Sequence, residues 1–557
     1  MYEERVYLEL RKAYGAEAEF REDQLEAIID ILMGKRMLVV QKTGWGKSLV
    51  YFLATKILRE QKKGFTLIIS PLLVLMNNQI DSAKKLDLEV ETINSGNQDN
   101  WDNITEKLEH NEIDALIISP ERLANETFRQ KLTEKLAAQI GLFVVDEAHC
   151  ISDWGHEFRP DYRRIVSIVN KLPSNVPVLA TTATANDRVA ADIKKQLGET
   201  LLIHRGGLMR ETLAIEIIKL GTREERLAWL ADNIRKFPGT GIIYCLTVKD
   251  CQLVNKWLLK NGILSEQYYA EVGEPEEKKR IIELFMENKI KVLVATVAFG
   301  MGFDKPDIGY VIHFQKPKNL IEYYQQIGRA GRGMDKAYAI LLCGEEDDAI
   351  NNYFIDSAFP TEELMEDVID TVRHYPGLKS GEFEKYINNK PSKIKSCIKY
   401  LLVNGDIYEE EHRYYKTPRM WKPDIEKCRE ITEIRKNELR EINDFTKMTE
   451  CYMQYIAEVL DDRNARPCGK CANCLNHSVL PFDRTLKELG NARKFLREDF
   501  NVIEPRKKWP EGVRIDEKNR IAEDRRCEKG RVLSNYGDAG WGTLVSKGGS
   551  VSRFSTK

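Results

Sequence analysis

The chain lacks several features that would assign it quickly to a class of protein. Its 85 lysine and arginine residues nearly balance its 87 aspartate and glutamate residues, and the net charge is only −2. Such a balance does not indicate a nucleic-acid binder, so any contact with DNA must depend on local basic and aromatic groups. The first residues are acidic and no long apolar run follows them, so we expect neither a secretory signal nor a membrane span.

Cysteines are few and odd in number. Eleven cysteines in 557 residues argue against a disulfide framework and for a reducing interior with a metal site. We therefore expect a cytoplasmic protein, associated with the nucleoid in a prokaryote. At roughly one domain per 150 residues, the length favours three or four domains, and 42% hydrophobic content can fill their cores.

A glycine-bearing turn at residues 41–48 lies between an apolar run and an apolar-periodic segment. This order of strand, turn and helix start forms a phosphate cradle, because backbone N–H groups and the positive end of the helix dipole face the same anion. Lys47 would neutralise the β/γ-phosphates and Ser48 would bind Mg²⁺. Gln41 and Trp45 depart from the usual pattern, which has glycine and a small residue there. Taken alone, the segment also fits an ordinary strand-to-helix turn.

Residues 20–24 open an amphipathic segment shortly before the cradle. The plain interpretation is a helix start with solvated charges. The functional interpretation is that Gln24 reads an adenine edge with two amide hydrogen bonds, and we favour it because the cradle follows so closely.

Apolar runs downstream are separated by stretches long enough for helices, at residues 66–69, 115–118, 142–145 and 176–179. Runs this apolar are buried on both faces, which predicts a parallel sheet covered by helices. Chemistry collects at the carboxyl ends of such strands, where this chain has Asp146 and Glu147. Asp146 can hold Mg²⁺, and Glu147 can orient and deprotonate the water that attacks the γ-phosphate. The cradle and the carboxylates together predict NTP hydrolysis.

A second α/β lobe begins near Thr212, with buried strands predicted at residues 241–245 and 291–296. It has no phosphate loop of its own, so we expect it to close on the nucleotide held by the first lobe. Arg329 and Arg332 are three residues apart on one helical face and can reach across the cleft. Such arginines stabilise charge on the transferring phosphoryl group, an effect of roughly 10³ to 10⁵ in rate in GTPases.

The ordered motifs TGWGKS, SPLLVLM, SPERL, DEAH, TTATA, IIYC, ATVAFGMGFDKPD and YYQQIGRAGRG resemble those of superfamily 2 helicases, and specifically the RecQ family, over about residues 20–333. The resemblance implies an ATP-driven DNA helicase that moves 3′ to 5′ on single-stranded DNA. It makes Arg332 the arginine finger and Arg329 its companion. With the residues already discussed, the predicted nucleotide contacts are Arg21, Gln24, Thr43, Gly44, Gly46, Lys47, Ser48, Asp304 and Gln325.

The segment after DEAH, residues 150–162, resembles the aromatic-rich loop of RecQ proteins. Aromatic faces can stack on unpaired bases of any identity, and an arginine adds charge. The predicted DNA contacts are Trp154, His156, Phe158 and Arg159. On the residues alone, inter-lobe core is an equally good interpretation of the aromatics. The histidine-containing segment common in the family is missing around residues 268–272, which leaves DNA contacts of the second lobe open.

Residues 363–418 suit three helices and a short hairpin, as in a winged-helix-like module. Lys393, Lys395 and Lys399 could meet phosphates, although a helical spacer with solvated lysines fits nearly as well. Family members more often place such a module after the cysteine cluster.

Cys451, Cys468, Cys471 and Cys474, the cysteine cluster, can supply four thiolates to one tetrahedral ion. We predict structural Zn²⁺, which the resemblance supports, with an iron–sulfur cluster as the rival. After residue 476 the chain becomes polar and resembles the linker that leads, in some RecQ-like proteins, into a phosphoribosyltransferase-like domain. We expect an irregular and partly disordered tail, too short to form that domain.

The combined prediction is an α/β chain of two tandem RecA-like parallel-sheet lobes, followed by a winged-helix-like module and a zinc-binding helical subdomain. The expected boundaries are residues 1–208, 209–348, 349–425, 426–480 and 481–557. We expect a monomeric DNA helicase that uses ATP, Mg²⁺ and Zn²⁺, acts on single-stranded and on branched or tailed duplex DNA in repair or recombination, and contacts no membrane. The alternatives are a DNA-stimulated translocase that does not unwind and a nucleotide-gated DNA-binding scaffold.

Overall fold

The computed structural model describes residues 2–71, 73–93, 97, 100–124, 136–152, 163–300, 303, 305–344, 346–423, 425–498, 502–503, 505 and 521–531. Trp154, His156, Phe158, Arg159 and Asp304 lie outside the described residues, so the contacts assigned to them stay predictions.

The first lobe contains a seven-stranded, fully parallel sheet in the order β3-β4-β2-β5-β6-β1-β7. Its strands are β1 Arg36–Val40, β2 Phe65–Ile69, β3 Val90–Ile93, β4 Ala115–Ile118, β5 Ile140–Val145, β6 Val178–Thr182 and β7 Leu202–Arg205. Successive side chains of a strand point to opposite faces, so Leu38 and Val40 enter one core while Met37 and Val39 enter the other. The predicted apolar runs are the central strands of this sheet.

Helices cover both faces of the first sheet. They are Tyr2–Tyr14, Gln24–Leu32, Lys47–Glu60, Leu73–Lys84, Trp101–Glu109, Arg163–Val169 and Asp187–Leu197, with 3₁₀ turns at Pro120–Ala124, Ala137–Gln139 and Ala148–Ile151. The central helix, Lys47–Glu60, starts directly behind the glycine turn that follows β1. Its buried side chains include Val50, Phe52 and Leu53, which fixes the helix start at the carboxyl edge of the sheet.

The second lobe has a six-stranded parallel sheet in the order β10-β11-β9-β12-β13-β8. Its strands are β8 Leu213–Lys219, β9 Thr240–Tyr244, β10 Ser265–Tyr268, β11 Val292–Ala295, β12 Ile308–His313 and β13 Ala337–Cys343. Its helices are Arg223–Asn233, Val248–Lys260, Pro275–Met286 and Leu320–Ile327, with a 3₁₀ turn at Ile234–Lys236. The prediction of two parallel-sheet lobes is confirmed.

A small module with its own core follows the helix Glu346–Asp356. It contains the helix Glu362–His374, a 3₁₀ segment Ser380–Lys385, the helix Pro391–Asn404 and an antiparallel hairpin of β14 Ile407–Glu410 and β15 Arg413–Lys416. Val368, Phe383 and Leu401 are fully buried at its centre. The predicted order of three helical elements and a hairpin is present, with the middle element wound as a 3₁₀ helix.

The cysteine cluster belongs to a helical subdomain that packs directly on the second lobe. Its helices are Ile425–Phe445, Tyr452–Val459 and Ala472–Leu475. Ile442, Phe445, Met453 and Ile456 join the core beneath the second sheet, and the ring of Phe445 lies 5.7 Å from that of Tyr323. The second lobe and this subdomain therefore share one hydrophobic core.

The expectation of an irregular chain after residue 476 is wrong for part of that stretch. A helix, Leu486–Glu498, packs on Arg223–Asn233 of the second lobe, and the ring of Phe495 lies 5.1 Å from that of Trp257. A helix needs only one apolar stripe, and Leu489, Ala492, Phe495 and Leu496 supply it. The segment is polar on average, and this concealed the helical spacing of its four apolar residues.

Beyond that helix, the described residues include a short pairing of β16 Val502–Ile503 with β17 Gly530–Arg531, and a 3₁₀ turn at Glu523–Arg525. Within the described ranges, no helix combines the length and the apolar character needed to cross a bilayer.

Candidate active site

The turn at residues 41–48 connects β1 to the helix Lys47–Glu60 and lies in the cleft between the lobes. Gly44 and Gly46 have φ angles of +80° and +99°, in the left-handed region that glycine adopts without strain. A Cβ atom at Gly46 would lie 2.7 Å from Nε2 of Gln24. Lys47 and Ser48 are the first two residues of the helix. Backbone N–H groups and a helix start thus face the cleft, as an anion site requires.

Both departures from the usual cradle sequence have a structural reason. Trp45 is only 4% exposed, and its indole donates to the carbonyl of Glu22 at 3.0 Å, so it packs into the first lobe and away from the cleft. The Gln41 amide donates to Asp23 at 3.2 Å. It fills the space beside Gly206, where any side chain would collide with it. Neither residue blocks the cradle.

Gln24 and Arg21 hold the backbone of the cradle in place by hydrogen bonds. The Gln24 amide donates to the Trp45 carbonyl at 2.7 Å and accepts from the backbone N–H of Arg21 at 2.9 Å, while the Arg21 guanidinium donates to the carbonyl of Gly44. The amide of Gln24 keeps one N–H and one lone pair for another partner. Its contact with adenine stays a prediction.

Asp146 follows β5 and is held by three donors. Its carboxylate accepts from the Thr181 hydroxyl at 2.7 Å, from the Gln79 amide at 3.0 Å and from the Glu147 N–H at 3.1 Å. Burial, together with the charge of Glu147, raises the pKa of Asp146 to about 6. Burial lowers the pKa of Lys47, against the opposing effect of the two carboxylates. A cation bound here would favour the charged carboxylate, so Asp146 and Ser48 suit the predicted Mg²⁺.

Glu147 has a strained backbone and a charged side chain. Its φ angle is +51°, an uncommon conformation for a residue with a Cβ and one that occurs often at functional sites. Burial would raise the pKa of its carboxyl, but His149, Lys47 and Arg329 outweigh burial and lower it. The carboxylate is therefore ionised at neutral pH and can accept a proton from water.

A series of close polar contacts connects Glu147 to the second lobe. The Glu147 carboxylate lies 3.3 Å from Nδ1 of His149, which lies 3.0 Å from the Thr182 hydroxyl. That hydroxyl accepts from the N–H of Thr184 at 3.1 Å, and the Thr184 hydroxyl accepts from Gln325 at 2.9 Å. One contact of this series, from Gln325 to Thr184, crosses from the helix Leu320–Ile327 of the second lobe to the first lobe.

Both predicted arginines face the cleft. Arg329 is 4% exposed, and its Nε and Nη1 atoms have no hydrogen-bond partner among the described residues. Its charge helps to lower the pKa of Glu147. Arg332 passes over the cradle, with its Cγ atom 3.6 Å from where a Cβ of Gly44 would lie. A buried guanidinium with unpaired N–H groups is costly unless an anion binds beside it.

Sequence reasoning missed Arg210, which lies in the connection between the lobes. Its Nη1 atom donates to the carbonyl and hydroxyl oxygens of Thr43, at 2.9 and 2.7 Å, and to the Gly328 carbonyl at 3.1 Å. Its Nη2 atom donates to the Ala330 carbonyl at 2.8 Å. No motif marks this arginine, and nothing in the local sequence could have identified it. Gln79 was missed for the same reason, whereas Thr181 opens the TTATA motif but was given no role.

The cysteine cluster lies apart from this cleft. Its four sulfur atoms all lie within 4.8 Å of one another. Backbone N–H groups point at two of them, from Cys468 to the sulfur of Cys451 at 3.2 Å and from Cys471 to the sulfur of Cys468 at 3.3 Å. Four converging sulfur ligands, two of them hydrogen-bonded, fit one tetrahedral metal ion.

Comparison with known proteins agrees with this geometry. Residues 21–193 match the family model of the DEAD/DEAH box helicase, and residues 225–334 match that of the helicase conserved C-terminal domain. The RecQ-like DNA helicase blm-1 of Caenorhabditis elegans is 30% identical over 499 residues, which cover 86% of this chain and 48% of that protein. The ATP-dependent DNA helicase Q1 of Pongo abelii is 35% identical over 336 residues, which cover 58% of this chain and 50% of that protein.

The chain belongs to the RecQ family of DNA helicases. It spans about half the length of the two RecQ-type relatives just described.

Among solved structures, the DUF1998 helicase MrfA bound to DNA has a TM-score of 0.53 at 16% identity. The match covers 78% of this chain and 60% of the MrfA chain. The DEAD-box helicase Mss116 bound to ssRNA and UDP-BeF has a TM-score of 0.52 at 17% identity and covers 78% of this chain and 90% of its own. At such identities the likeness establishes the fold alone, two parallel-sheet lobes around one cleft.

Proposed function

We propose that this RecQ-family chain is an ATP-dependent DNA helicase that moves 3′ to 5′ along single-stranded DNA and unwinds tailed or branched duplexes in repair or recombination. One observation carries the proposal. The cleft between the lobes holds Lys47, Asp146 and Glu147 on one side, and Arg329 and Arg332 on the other. Phosphoryl transfer needs these two kinds of group at one site.

The residues divide the work of hydrolysis. Lys47 would bind the β/γ-phosphates, and Ser48 with Asp146 would hold Mg²⁺, which would offset the negative charge of the phosphates. Glu147 takes a proton from the attacking water. Arg329 and Arg332 stabilise the charge that develops on the γ-phosphoryl group, which requires the lobes to be closed.

The link between Glu147 and the second lobe explains how hydrolysis can be coupled to movement. Because Gln325 donates to Thr184, whose N–H binds the Thr182 hydroxyl beside His149, opening of the cleft would remove the outermost of these contacts and loosen the surroundings of the Glu147 carboxylate. Hydrolysis would then occur only in the closed form, and each ATP would give one cycle of closing and opening. DNA bound across both lobes, with Trp154 and Phe158 as the predicted stacking residues, would be moved by that cycle.

The cysteine cluster is proposed to bind Zn²⁺ in a structural role. Its sulfur atoms border the core shared with the second lobe, so the ion would stabilise that packing. Metal analysis of the purified chain should give about one zinc ion per chain. A brown protein containing iron would favour the iron–sulfur alternative. We further propose a monomer in the cytoplasm.

An unwinding assay tests the proposed function. The substrates are duplexes with a 3′ or a 5′ single-stranded tail, and the proteins are the wild type, Glu147→Gln and, as a control, Glu283→Gln on the exposed face of a second-lobe helix. We expect the wild type and the control to unwind only the 3′-tailed duplex in the presence of ATP. Glu147→Gln should bind ATP without unwinding.

Each contrary result points to a different alternative. Unwinding by Glu147→Gln would remove Glu147 from its role. DNA-stimulated hydrolysis without unwinding by the wild type would indicate a translocase. ATP binding without DNA-stimulated hydrolysis would indicate a nucleotide-gated scaffold.

A further inference from the structure

Three residues between the lobes, Leu208, Met209 and Arg210, make polar contacts with both lobes and with the cysteine-cluster subdomain. We name them the inter-lobe strap. They lie between β7, which ends at Arg205, and β8, which begins at Leu213. Leu208 is fully buried and Arg210 is 6% exposed. A connection between domains usually lies at the surface, so burial of this one indicates a specific role.

The strap binds the phosphate loop of the first lobe. Arg210 donates to both oxygens of Thr43, and Lys42 donates from Nζ to the carbonyl of Met209 at 3.2 Å. Thr43 lies directly before Gly44, so these contacts fix the backbone that would surround the phosphates. The same guanidinium holds the carbonyls of Gly328 and Ala330, on either side of Arg329.

The strap also binds the cysteine-cluster subdomain. The N–H of Leu208 donates to Oδ2 of Asp462 at 2.7 Å, and Oδ1 of Asp462 accepts from the N–H of Asn464 at 2.9 Å. Asp462 is 5% exposed, and it lies just beyond the helix Tyr452–Val459 that begins after Cys451. The Tyr324 hydroxyl of the second lobe completes the set by donating to the carbonyl of Leu208 at 2.7 Å.

Charge explains why these contacts affect nucleotide binding. Within the described ranges, no carboxylate forms an ion pair with Arg210; only neutral oxygens accept from it. A buried cation without a counter-charge is costly. An anionic nucleotide in the adjacent cradle would supply that charge, so the position of Arg210 and the affinity of the cradle depend on each other.

We infer that the strap positions the phosphate loop for ATP and that Asp462, on the cysteine-cluster subdomain, holds the strap in place. Asp462 and Arg210 are positioning residues, and both act on the cradle through the inter-lobe strap. The inference rests on the proposed ATP hydrolysis. It means that the cysteine-cluster subdomain sets the ATP affinity of a cradle in another lobe.

A double-mutant cycle tests this coupling in the full chain. The variants are Asp462→Ala, Arg210→Lys and their combination, with Asp462→Asn as the conservative variant. Arg466→Ala is the matched control, because Arg466 makes a solvent-exposed ion pair between the same subdomain and Glu211, just after the strap. The measurements are equilibrium binding of a non-hydrolysable ATP analogue, KM and kcat for DNA-stimulated ATP hydrolysis, bound metal per chain and the unfolding midpoint.

We expect Asp462→Ala and Arg210→Lys each to weaken analogue binding and raise KM about tenfold, since each loses a buried hydrogen bond to a charged group. In Asp462→Ala the kcat should change less than KM, because the hydrolytic residues stay intact once ATP is bound. Arg210→Lys should also lower kcat, because it loses contacts to the carbonyls on either side of Arg329. Asp462→Asn should recover part of the affinity, because its one amide oxygen can still accept from the N–H of Leu208 but not also from that of Asn464. The double variant should be no weaker than the weaker single variant. Bound metal and the control variant should match the wild type.

Three results would overturn the inference. The first is that the two substitutions act independently, so that the double variant binds the analogue about a hundredfold more weakly than the wild type. The second is unchanged analogue binding in both single variants while the wild type binds. The third is loss of metal in Asp462→Ala that accounts for the weaker binding. A wild type that binds no analogue would instead refute the proposed function itself.

Discussion

Replacement of Arg329 by glutamine should have opposite effects on activity and on stability. Arg329 is nearly inaccessible to water, and two of its nitrogen atoms have no partner among the described residues. Without nucleotide, this guanidinium is a buried charge whose donors are incompletely satisfied. Glutamine keeps most of the apolar stem and removes the charge.

The size of each effect follows from these contacts. A buried donor without a partner costs about 1–3 kcal/mol, so the nucleotide-free variant should be more stable than the wild type by about that amount. ATP turnover should fall by about 10³-fold, the lower end of the effect of comparable arginines in GTPases. Addition of a non-hydrolysable ATP analogue should make the wild type more stable than the variant. The anionic analogue binds the wild type more tightly, because only the wild type carries the arginine, and tighter binding gives more stabilisation.

Thermal unfolding with and without the analogue, together with DNA-stimulated ATP hydrolysis, measures both effects. Arg226→Gln is the matched control. Arg226 is also fully buried, but it is paired with Asp347 at 2.8 Å, so its loss leaves a buried carboxylate and should destabilise the protein by about 3–5 kcal/mol. If Arg329→Gln without nucleotide is destabilised as much as Arg226→Gln, the argument from unsatisfied donors is wrong. If its turnover is normal, Arg329 does not act on the phosphoryl group.

Three further predictions concern other parts of the chain. Gly46→Ala should weaken ATP binding at least about tenfold in an equilibrium titration, because the new Cβ meets Gln24 at 2.7 Å and the φ angle is +99°; unchanged affinity would contradict the cradle geometry. Cys471→Ser should lose the bound metal and lower the unfolding midpoint by several degrees more than Cys245→Ser, a buried thiol outside the cluster; equal effects with metal retained would contradict a metal site. Burial lowers the pKa of His313 in the folded protein to about 4. Below pH 6.5 this histidine therefore binds more protons in the unfolded chain than in the folded protein. The free energy of unfolding consequently decreases as the pH falls from 6.5 towards 4. Denaturant unfolding should show that the wild type loses up to about 3 kcal/mol more than His313→Gln between pH 7 and pH 4; equal losses would mean that His313 is charged in the folded state.

The elements that sequence predicted well are those whose signal is local. Continuous apolar runs identified β2, β4, β5 and β6 because a strand buried on both faces has no polar alternation. The cradle and the carboxylates were found because their chemistry requires fixed residue types at fixed spacing. The edge strand β7 was missed, since it is half-exposed and short.

The features that could not be predicted from the sequence depend on contacts between residues that are far apart in the chain. The role of Arg210 arises only when Thr43, Gly328 and Ala330 meet across the cleft, and one arginine in a connection has no periodicity that reveals this. The helix Leu486–Glu498 has a readable apolar stripe, but its polar average argued for a linker. Gln41 at the start of the cradle is explained only by Gly206 beside it.

The core that the second lobe shares with the cysteine-cluster subdomain bears on how the chain folds during its synthesis. The last strand of the second sheet ends at Cys343, whereas the side chains that cover its underside, such as Phe445 and Met453, are made much later. Until they emerge from the ribosome, that underside is an exposed apolar surface, the kind that attracts chaperones or aggregates. A truncation before residue 445 would therefore be expected to yield insoluble protein, even though it retains every residue of the ATP cleft.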